Sequence, residues 1–214
     1  PLGKFGAYFK TNKGKLPIII SGVKNPRPIY YVENKGSAQC KSSVMFAALN
    51  TKGQTIIKAK KSRNHSELLF KYLKLPISTQ LRKKNDLIKV TGEKKIKPFN
   101  YLIPSDISSC TFFIVLTALS NKSKLKIKNV NINPSRTGAI KILRSMGVKI
   151  IFKNVKNYKG EKIGDIYVKN TKILRAINCP SSLNSSSIDE FLVIFLAAAK
   201  AKGVSYFKNL SELN

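Results

Sequence analysis

The chain has 214 residues, of which 43% are hydrophobic, and this suits one or two globular domains with a buried core. Its formal net charge of +30 raises nucleic acid or an anionic membrane surface as a partner. However, the basic residues are mostly lysines spread along the chain, and arginine, which suits base and phosphate recognition, stands at only six positions. We therefore expect no nucleic-acid partner, although the positive field would attract phosphorylated metabolites.

Two further kinds of pattern are absent from the sequence. No apolar run approaches the roughly 18 to 20 residues that span a bilayer, and the first residues lack the pattern of a signal peptide, so we expect no membrane partner and a cytoplasmic location. The three cysteines, Cys40, Cys110 and Cys179, are widely separated, and the single histidine is His65. We expect reduced, mostly structural cysteines, and neither a metal site nor a cofactor.

The chain contains a repeated unit. Residues 37–59, 106–130 and 188–210 share a polar start, an apolar helical run and a strand-like tail, with Gly53 and Gly203 at places typical of a helix C-terminal cap. Residues 62–77 and 133–150 follow the first two copies, and each predicts a capped second helix that leads into a strand. The predicted fold class is α/β (α+β), built from repeated β-α-β-α-β-β units.

The first and last residues fall within such units. Residues 2–22 match residues 143–169, which form the end of a unit. Residues 188–214 begin a further unit and stop before its second helix. We therefore expect further residues at both ends of the chain, since a half-unit leaves an apolar face without a neighbour.

The polar starts of the units carry the residues with chemical potential. Small and amide residues open the helix at SAQCKS (residues 37–42), where free backbone N–H groups can hold an anion, although a plain helix cap explains the same pattern. SRNH (residues 62–65) opens the second helix, and there Ser62 suits a cap and Arg63 a solvated charge. IDEF (residues 188–191) places two of the chain's few acids before its most apolar helix, which is also favourable for stability alone.

Four of these segments together resemble one enzyme family. SAQCKS, SRNH, NPSRTG (residues 133–138) and IDEF are similar, in order and in spacing, to motifs of the EPSP synthase (3-phosphoshikimate 1-carboxyvinyltransferase) family, and the resemblance runs through essentially all 214 residues. Asn64 stands where that family usually has aspartate. The resemblance implies repeated units of the enolpyruvyl transferase type, parts of two lobes, with residues 1–104 in one lobe and 105–214 in the other.

The resemblance also implies roles for individual residues. Ser37, Ala38 and Gln39 would bind shikimate 3-phosphate, and Gln39 would also contact phosphoenolpyruvate. Ser62 and Arg63 would bind the phosphate of shikimate 3-phosphate, for which the arginine fork is suited.

The two acids of IDEF receive roles in the same way. Asp189 would bind shikimate 3-phosphate and accept the proton of its attacking hydroxyl, and Glu190 would lie near phosphoenolpyruvate.

Other residues of these motifs receive no chemical role. We interpret residues 106–109 and 133–138 as turns and caps, and His65 as a structural residue at a helix start. Lys41 is left without a firm role. Tyr30, Tyr31, Phe112 and Phe113 are predicted to lie in the core.

The function implied is transfer of the enolpyruvyl group from phosphoenolpyruvate to the 5-hydroxyl of shikimate 3-phosphate, without a metal, by an enzyme that is monomeric at full length. Because other motifs of the family are absent from residues 1–214, we expect this chain alone to be inactive. Two alternatives stay open at this point. They are the related UDP-N-acetylglucosamine enolpyruvyl transferases and a basic nucleic-acid-binding module.

Overall fold

A computed structural model describes residues 1–82, 84–92 and 95–210. The chain divides into two compact units, Pro1–Phe99 and Asn100–Asn214, each with its own hydrophobic core. The assignment of residues 1–104 and 105–214 to two lobes of an enzyme stays a prediction. Among the described residues, no helix combines the length and hydropathy that crossing a bilayer requires.

The first unit begins with a 3-10 turn at Leu2–Phe5 and an antiparallel hairpin of β1 (Tyr8–Asn12) and β2 (Lys15–Ser21). The remaining elements, in chain order, are β3 (Tyr30–Glu33), α1 (Ala38–Leu49), β4 (Gln54–Lys60), α2 (His65–Tyr72), β5 (Ile77–Gln80) and β6 (Asn85–Thr91). Helix α1 connects β3 to β4, which are parallel, and β6 pairs antiparallel with both β4 and β5. The sheet order is therefore β3-β4-β6-β5.

The second unit repeats this topology. Its elements are α3 (Ile107–Leu119), β7 (Lys124–Asn131), α4 (Gly138–Ser145), β8 (Ile150–Tyr158), β9 (Glu161–Lys169), 3-10 turns at Ser181–Ser186 and Ile188–Glu190, and α5 (Phe191–Ala199). The sheet order is β7-β9-β8, and Ser105 forms a parallel bridge to Val130 where the first unit has the β3-β4 pair. Both units thus place a parallel strand, a helix and an antiparallel partner in the same order, as the predicted repeat requires.

The third copy of the repeat is present in reduced form. Helix α5 connects segments that pair in parallel through two isolated bridges, Arg175 with Lys202 and Asn178 with Tyr206. The strand-like tail predicted within residues 188–210 therefore does not form a regular strand in the described part of the chain. The mixed α/β fold class predicted from the sequence is confirmed.

Two local predictions are wrong. Gly53 and Gly203 have φ angles of 100° and 101°, but helices α1 and α5 end at caps Asn50 and Lys200, so the two glycines belong to the turns that follow. The left-handed backbone explains why glycine stands at both positions.

The second wrong prediction concerns the aromatic residues assigned to the core. Tyr30, Phe112 and Phe113 are 56%, 52% and 58% exposed, whereas Tyr31 packs against the core of the first unit. Strand β3 lies at a sheet edge and α3 is apolar around most of its circumference. An apolar pattern of that kind cannot show which side of the element the core covers.

The Asp165 carboxylate binds two irregular positions of the second sheet. The pairing of β9 with its two neighbours shifts register within residues 127–130 and 153–156, and in each interval an asparagine, Asn129 or Asn154, has a φ of 51°. The Asp165 carboxylate accepts a hydrogen bond from the Asn129 backbone N–H at 3.1 Å and from Asn154 Nδ2 at 3.0 Å. These bonds, that from Asn154 first, lower the pKa of the Asp165 carboxyl. One carboxylate therefore stabilises two bulges.

A buried ion pair connects the two helices of the first unit. Lys41 Nζ on α1 lies 2.6 Å from Glu67 Oε1 on α2, and the two residues are only 2% and 6% exposed. Next to this pair Ser42 and Ser66 share a hydrogen bond between hydroxyls at 2.7 Å. A buried charge is tolerated only when it is paired, so the ion pair fixes the position of α2 against the first turns of α1.

We expect Asp165→Asn to lower the melting temperature of the protein at pH 7. Because the pKa is lowered in the folded state, the ionised carboxylate contributes stability above its unfolded pKa of about 3.9, and the contribution is lost as the pH falls through the folded value. The difference between wild type and variant should therefore shrink below about pH 4. Asp86→Asn is the control, since Asp86 is half-buried and accepts one longer bond, 3.3 Å, from Arg82 N. Equal melting temperatures at pH 7 would contradict the role of Asp165.

We expect Lys41→Met to reduce the free energy of unfolding by about 3–5 kcal/mol, because it leaves the Glu67 carboxylate buried without its cation. The double variant Lys41→Met, Glu67→Leu should recover most of this loss, since no charge then remains buried. Urea unfolding monitored by circular dichroism measures both. Lys71→Met is the control, because Lys71 binds Thr79 Oγ1 on the surface. A loss no larger than that of the control would show that the ion pair is not structural.

Candidate functional site

The start of α1 is a partly exposed helix N-terminus that follows a loop held by hydrogen bonds. Ser37 is the N-cap, and its hydroxyl accepts a hydrogen bond from Cys40 N at 3.2 Å, so the capping interpretation of this serine is confirmed. Before it, the buried Glu33 carboxylate accepts bonds from Lys35 N at 2.9 Å and Gly36 N at 2.7 Å. The first N–H groups of a helix have no partner within the helix, and at this end the helix dipole is positive. This geometry suits an anion.

Ser62 and Arg63 lie beside this helix start. A Cβ on Gly36 would stand 3.6 Å from the Lys61 carbonyl oxygen, so the loop before Ser37 runs close to the segment that leads into Ser62. The Ser62 Oγ atom is buried and has no hydrogen-bond partner among the described residues. The N-cap of α2 is Asn64, two residues further on, so the alternative that Ser62 caps this helix is wrong.

Lys41, which received no role from the sequence, holds Arg63 in place. Besides pairing with Glu67, its Nζ donates a hydrogen bond of 2.7 Å to the Arg63 carbonyl oxygen. The same lysine therefore fixes the segment that carries Ser62 and Arg63 relative to the first turn of α1. His65 is the first residue of α2, in agreement with its predicted structural place.

The second unit has a capped helix start with a different character. Asp106 is the N-cap of α3, and its Oδ2 accepts bonds from Ser109 N at 2.9 Å and Ser109 Oγ at 3.0 Å. Partial burial raises the pKa of this carboxyl, but the hydrogen bonds from the Ser109 backbone, the Ser109 side chain and the Ser108 backbone, together with the charge of Arg136, outweigh the burial and lower the pKa overall. The predicted capping role of residues 106–109 is confirmed for this aspartate.

Arg136 gathers three carboxylates around one guanidinium. Its NH1 lies 3.3 Å from Asp189 Oδ2, and its NH2 lies 3.2 Å from Asp106 Oδ1 and 3.9 Å from Glu190 Oε1. NH2 also donates to the Ser108 hydroxyl, which in turn donates to Glu190 Oε1. The starts of α3, α4 and α5 therefore meet at one buried arginine.

Asp189 and Glu190 have different environments in this cluster. They occupy the 3-10 turn Ile188–Glu190 immediately before α5, as expected, but no side-chain hydrogen bond caps that helix. Glu190 is 2% exposed, while 45% of the Asp189 side chain faces solvent. Their orientation toward Arg136 rather than toward the α5 N-terminus makes helix capping an insufficient explanation for this acid pair.

Sequence reasoning missed Arg136 and treated residues 133–138 only as a turn. The turn is present, since Asn133 Oδ1 accepts bonds from Ser135 N and Ser135 Oγ, both at 2.9 Å, and Asn133 O accepts one of 2.8 Å from Arg136 N. The function of the turn is to place the Arg136 side chain. One available signal was the position of the scarce acids, 10 against 40 basic residues. Asp106, Asp189 and Glu190 stand at predicted helix starts, and carboxylates that become buried need a cationic partner.

Metal ligation finds no support in the described ranges, and two of the three thiols are not activated. Within residues 1–82, 84–92 and 95–210, no group of three or more histidine, cysteine or acidic side chains is placed to hold a metal ion. Cys40, Cys110 and Cys179 are free thiols. Burial, with a smaller effect of the Asp106 charge, raises the pKa of Cys110 to about 11, and burial raises that of Cys179, so neither thiol is an activated nucleophile.

Comparison with known proteins gives a consistent result across the whole chain. The family model described as EPSP synthase (3-phosphoshikimate 1-carboxyvinyltransferase) matches residues 1–214. The 3-phosphoshikimate 1-carboxyvinyltransferase of Zymomonas mobilis is 37% identical over 215 residues, which cover 100% of this chain and 47% of the relative. That of Legionella pneumophila strain Philadelphia 1 is 39% identical over 214 residues and 48% of its length. The chain thus spans about half the length of these curated relatives.

Solved structures agree with the sequence comparison. An EPSP synthase structure from Acinetobacter baumannii superposes with a TM-score of 0.81 at 33% identity, covering 95% of this chain and 46% of that one. The enolpyruvyl transferase NikO from Streptomyces tendae gives a TM-score of 0.67 at 15% identity, which supports the fold alone. Together with the motifs at the helix starts, the family match over all 214 residues shows that this chain belongs to the EPSP synthase family.

Proposed function

We propose that this chain is part of an enzyme that transfers the enolpyruvyl group of phosphoenolpyruvate to the 5-hydroxyl of shikimate 3-phosphate. The observation that carries the proposal is the match of the entire chain to relatives named 3-phosphoshikimate 1-carboxyvinyltransferase. The same match favours this activity over transfer to a UDP-sugar and over nucleic-acid binding. We further propose that the complete enzyme is monomeric and cytoplasmic. It would use no metal and no cofactor, and it would have no nucleic-acid or membrane partner.

The first unit would supply residues that bind shikimate 3-phosphate. Ser37, Ala38 and Gln39 form the N-terminus of α1, where the N–H groups and helix dipole favour a phosphate. Ser62 brings a buried hydroxyl with no partner among the described residues, and such a hydroxyl gains a hydrogen bond if a phosphate oxygen arrives. Arg63 would add a charged fork, and Gln39 would also contact phosphoenolpyruvate.

The second unit would supply the base. In the proposed reaction the 5-hydroxyl oxygen bonds to C2 of phosphoenolpyruvate and its proton moves to Asp189, while C3 takes a proton from an acid of the complete active site as the C2–C3 double bond becomes single. The C2–O bond to phosphate then breaks, and one C3 proton returns to that acid as the double bond of the product forms. Asp189 suits the first proton transfer because nearly half of its side chain is exposed while Arg136 holds one carboxylate oxygen.

Glu190 stays in the proposal as a group near phosphoenolpyruvate. Its contacts in the structure include Ser108 and Arg136, and only 2% of the residue is exposed. A direct contact with substrate would therefore use very little of its surface, and much of its effect would pass through the arginine cluster.

We expect Arg63→Ala to weaken the binding of shikimate 3-phosphate at least tenfold, because a charge-assisted hydrogen bond contributes roughly 1.5–3 kcal/mol. Isothermal titration of the complete protein encoded by the gene of this chain measures it, and shikimate without phosphate should bind wild type and variant equally. Arg27→Ala is the control, since Arg27 is an exposed arginine of the same unit. Salt-dependent binding to generic DNA with no response to shikimate 3-phosphate would overturn the proposal in favour of a nucleic-acid-binding protein.

We expect Asp189→Asn to lower kcat by about 10² to 10⁴-fold, the usual contribution of a general base, and to weaken the binding of shikimate 3-phosphate, which this carboxylate would also contact, by a much smaller factor. Phosphate release from both substrates by the same complete protein measures the rate. Asp165→Asn is the control, because Asp165 binds the sheet bulges. A variant at position 189 that keeps wild-type kcat would exclude this residue as the base. The 214-residue chain alone is predicted to release no phosphate.

A further inference from the structure

Arg136 is a buried cation whose two terminal nitrogens serve different segments. The residue is 8% exposed, NH1 donates to Asp189 before α5, and NH2 donates to Asp106 and Ser108 at the start of α3. A lysine has a single nitrogen and could not reach both sides with this geometry, whereas the rigid guanidinium fork can. The contact therefore fixes where Asp189 lies as well as compensating its charge.

The carboxylates around Arg136 outnumber its single positive charge, and they share its two terminal nitrogens unequally. One guanidinium faces three carboxylates, and Glu190, the most buried of them, accepts a hydrogen bond from Ser108, whose hydroxyl itself accepts from Arg136. The Ser108 hydroxyl therefore links Arg136 to the buried Glu190 carboxylate by two hydrogen bonds. This leaves NH1 for Asp189, whose side chain is 45% exposed. The Asp106 side chain is 53% exposed, but its Oδ2 caps α3 through Ser109.

The arginine is itself held firmly. The Asn133 turn fixes its backbone, and the Asn133 amide donates to Glu161 Oε2 at 3.1 Å. Two residues later a Cβ on Gly138 would lie 2.3 Å from Ser186 Oγ, so the start of α4 packs directly on the 3-10 turn that precedes Ile188–Glu190. The distance between the arginine turn and the Asp189 turn is therefore set by backbone packing.

We infer that Arg136 is a positioning residue for Asp189, a role that rests on the proposed function. It orients the carboxylate so that one oxygen is held while the side chain stays accessible to the substrate hydroxyl. The hydroxyl proton moves to Asp189, and Arg136 exchanges no proton and makes no contact with substrate. Because a misplacement of about 1 Å in a reacting group can cost about 10²-fold in rate, the contact matters for turnover as well as for folding.

The test uses Arg136→Ala and Arg136→Lys in the complete protein, with phosphate release as the assay. We expect Arg136→Ala to lower kcat by about 10 to 100-fold with little change in either KM, and Arg136→Lys to fall less because it keeps the charge. Guanidinium chloride, at concentrations far below those that unfold the protein, should restore part of the kcat of Arg136→Ala. If Arg136 only stabilised the fold, guanidinium would not restore kcat while the melting temperature of the variant stays unchanged.

Arg144→Ala is the matched control, since Arg144 lies on α4, donates to the Ile150 carbonyl and stacks on Phe152 away from the acid cluster. It should change the melting temperature without a guanidinium-dependent kcat. If Arg136→Ala does not fold, Arg136→Lys and Ser108→Ala carry the test. Wild-type kcat in a folded Arg136→Ala or Arg136→Lys variant would overturn the inference.

A second measurement needs no substrate and so separates this inference from the proposed function. Melting temperatures of Arg136→Lys, Asp189→Asn and the double variant should be non-additive, because residues in contact are energetically coupled. Additive shifts would overturn the contact whatever the activity. If the coupling is present but wild type turns over neither substrate, then the proposed function fails, and the catalytic part of this inference fails with it.

Discussion

Each unit depends on one buried cation that joins the starts of its helices. In the first unit it is Lys41, which binds Glu67 and the Arg63 carbonyl, and in the second it is Arg136, which binds Asp106 and Asp189. A buried charge without partners is so unfavourable that the surrounding segments must adopt positions that satisfy it. The helix starts, where the candidate functional motifs lie, are therefore held in place by these buried cations.

The two cations differ in what they leave accessible. Lys41 is a point charge bound to the buried Glu67 carboxylate and the Arg63 carbonyl, so the first unit presents a helix N-terminus and, beside it, a buried Ser62 hydroxyl with no hydrogen-bond partner among the described residues. Arg136 has a forked guanidinium that faces three carboxylates, more negative charge than it can neutralise. One of these carboxylates is the half-exposed Asp189. One arrangement suits an anion and the other suits acceptance of a proton. The proposed division of labour between substrate binding and base catalysis follows from this difference.

The net charge of +30 conceals how the acids are used. The structure describes eight of the ten, and each of the eight makes a hydrogen bond or ion pair at a loop, a helix start or a sheet bulge; they are Glu33, Glu67, Asp86, Asp106, Glu161, Asp165, Asp189 and Glu190. Lysines outnumber these acids several times, so most of them have no acidic side chain available as a partner. The positive charge is thus largely a surface property, while each acid has a specific local role.

The sequence by itself determined the family, the fold class and the repeat, because apolar periodicity and polar helix starts are local patterns that stand in the chain in order. It also placed Asp189, Glu190, Ser37 and Ser62 at or near element boundaries. Only the tertiary structure decided that Ser62 does not cap α2, that Phe112 and Phe113 are exposed, and that Arg136 and Lys41 are the residues on which the helix starts converge. Arg136 and Asp189 are 53 positions apart. A contact at that separation depends on how helices pack in three dimensions, and no local pattern in a single sequence records it.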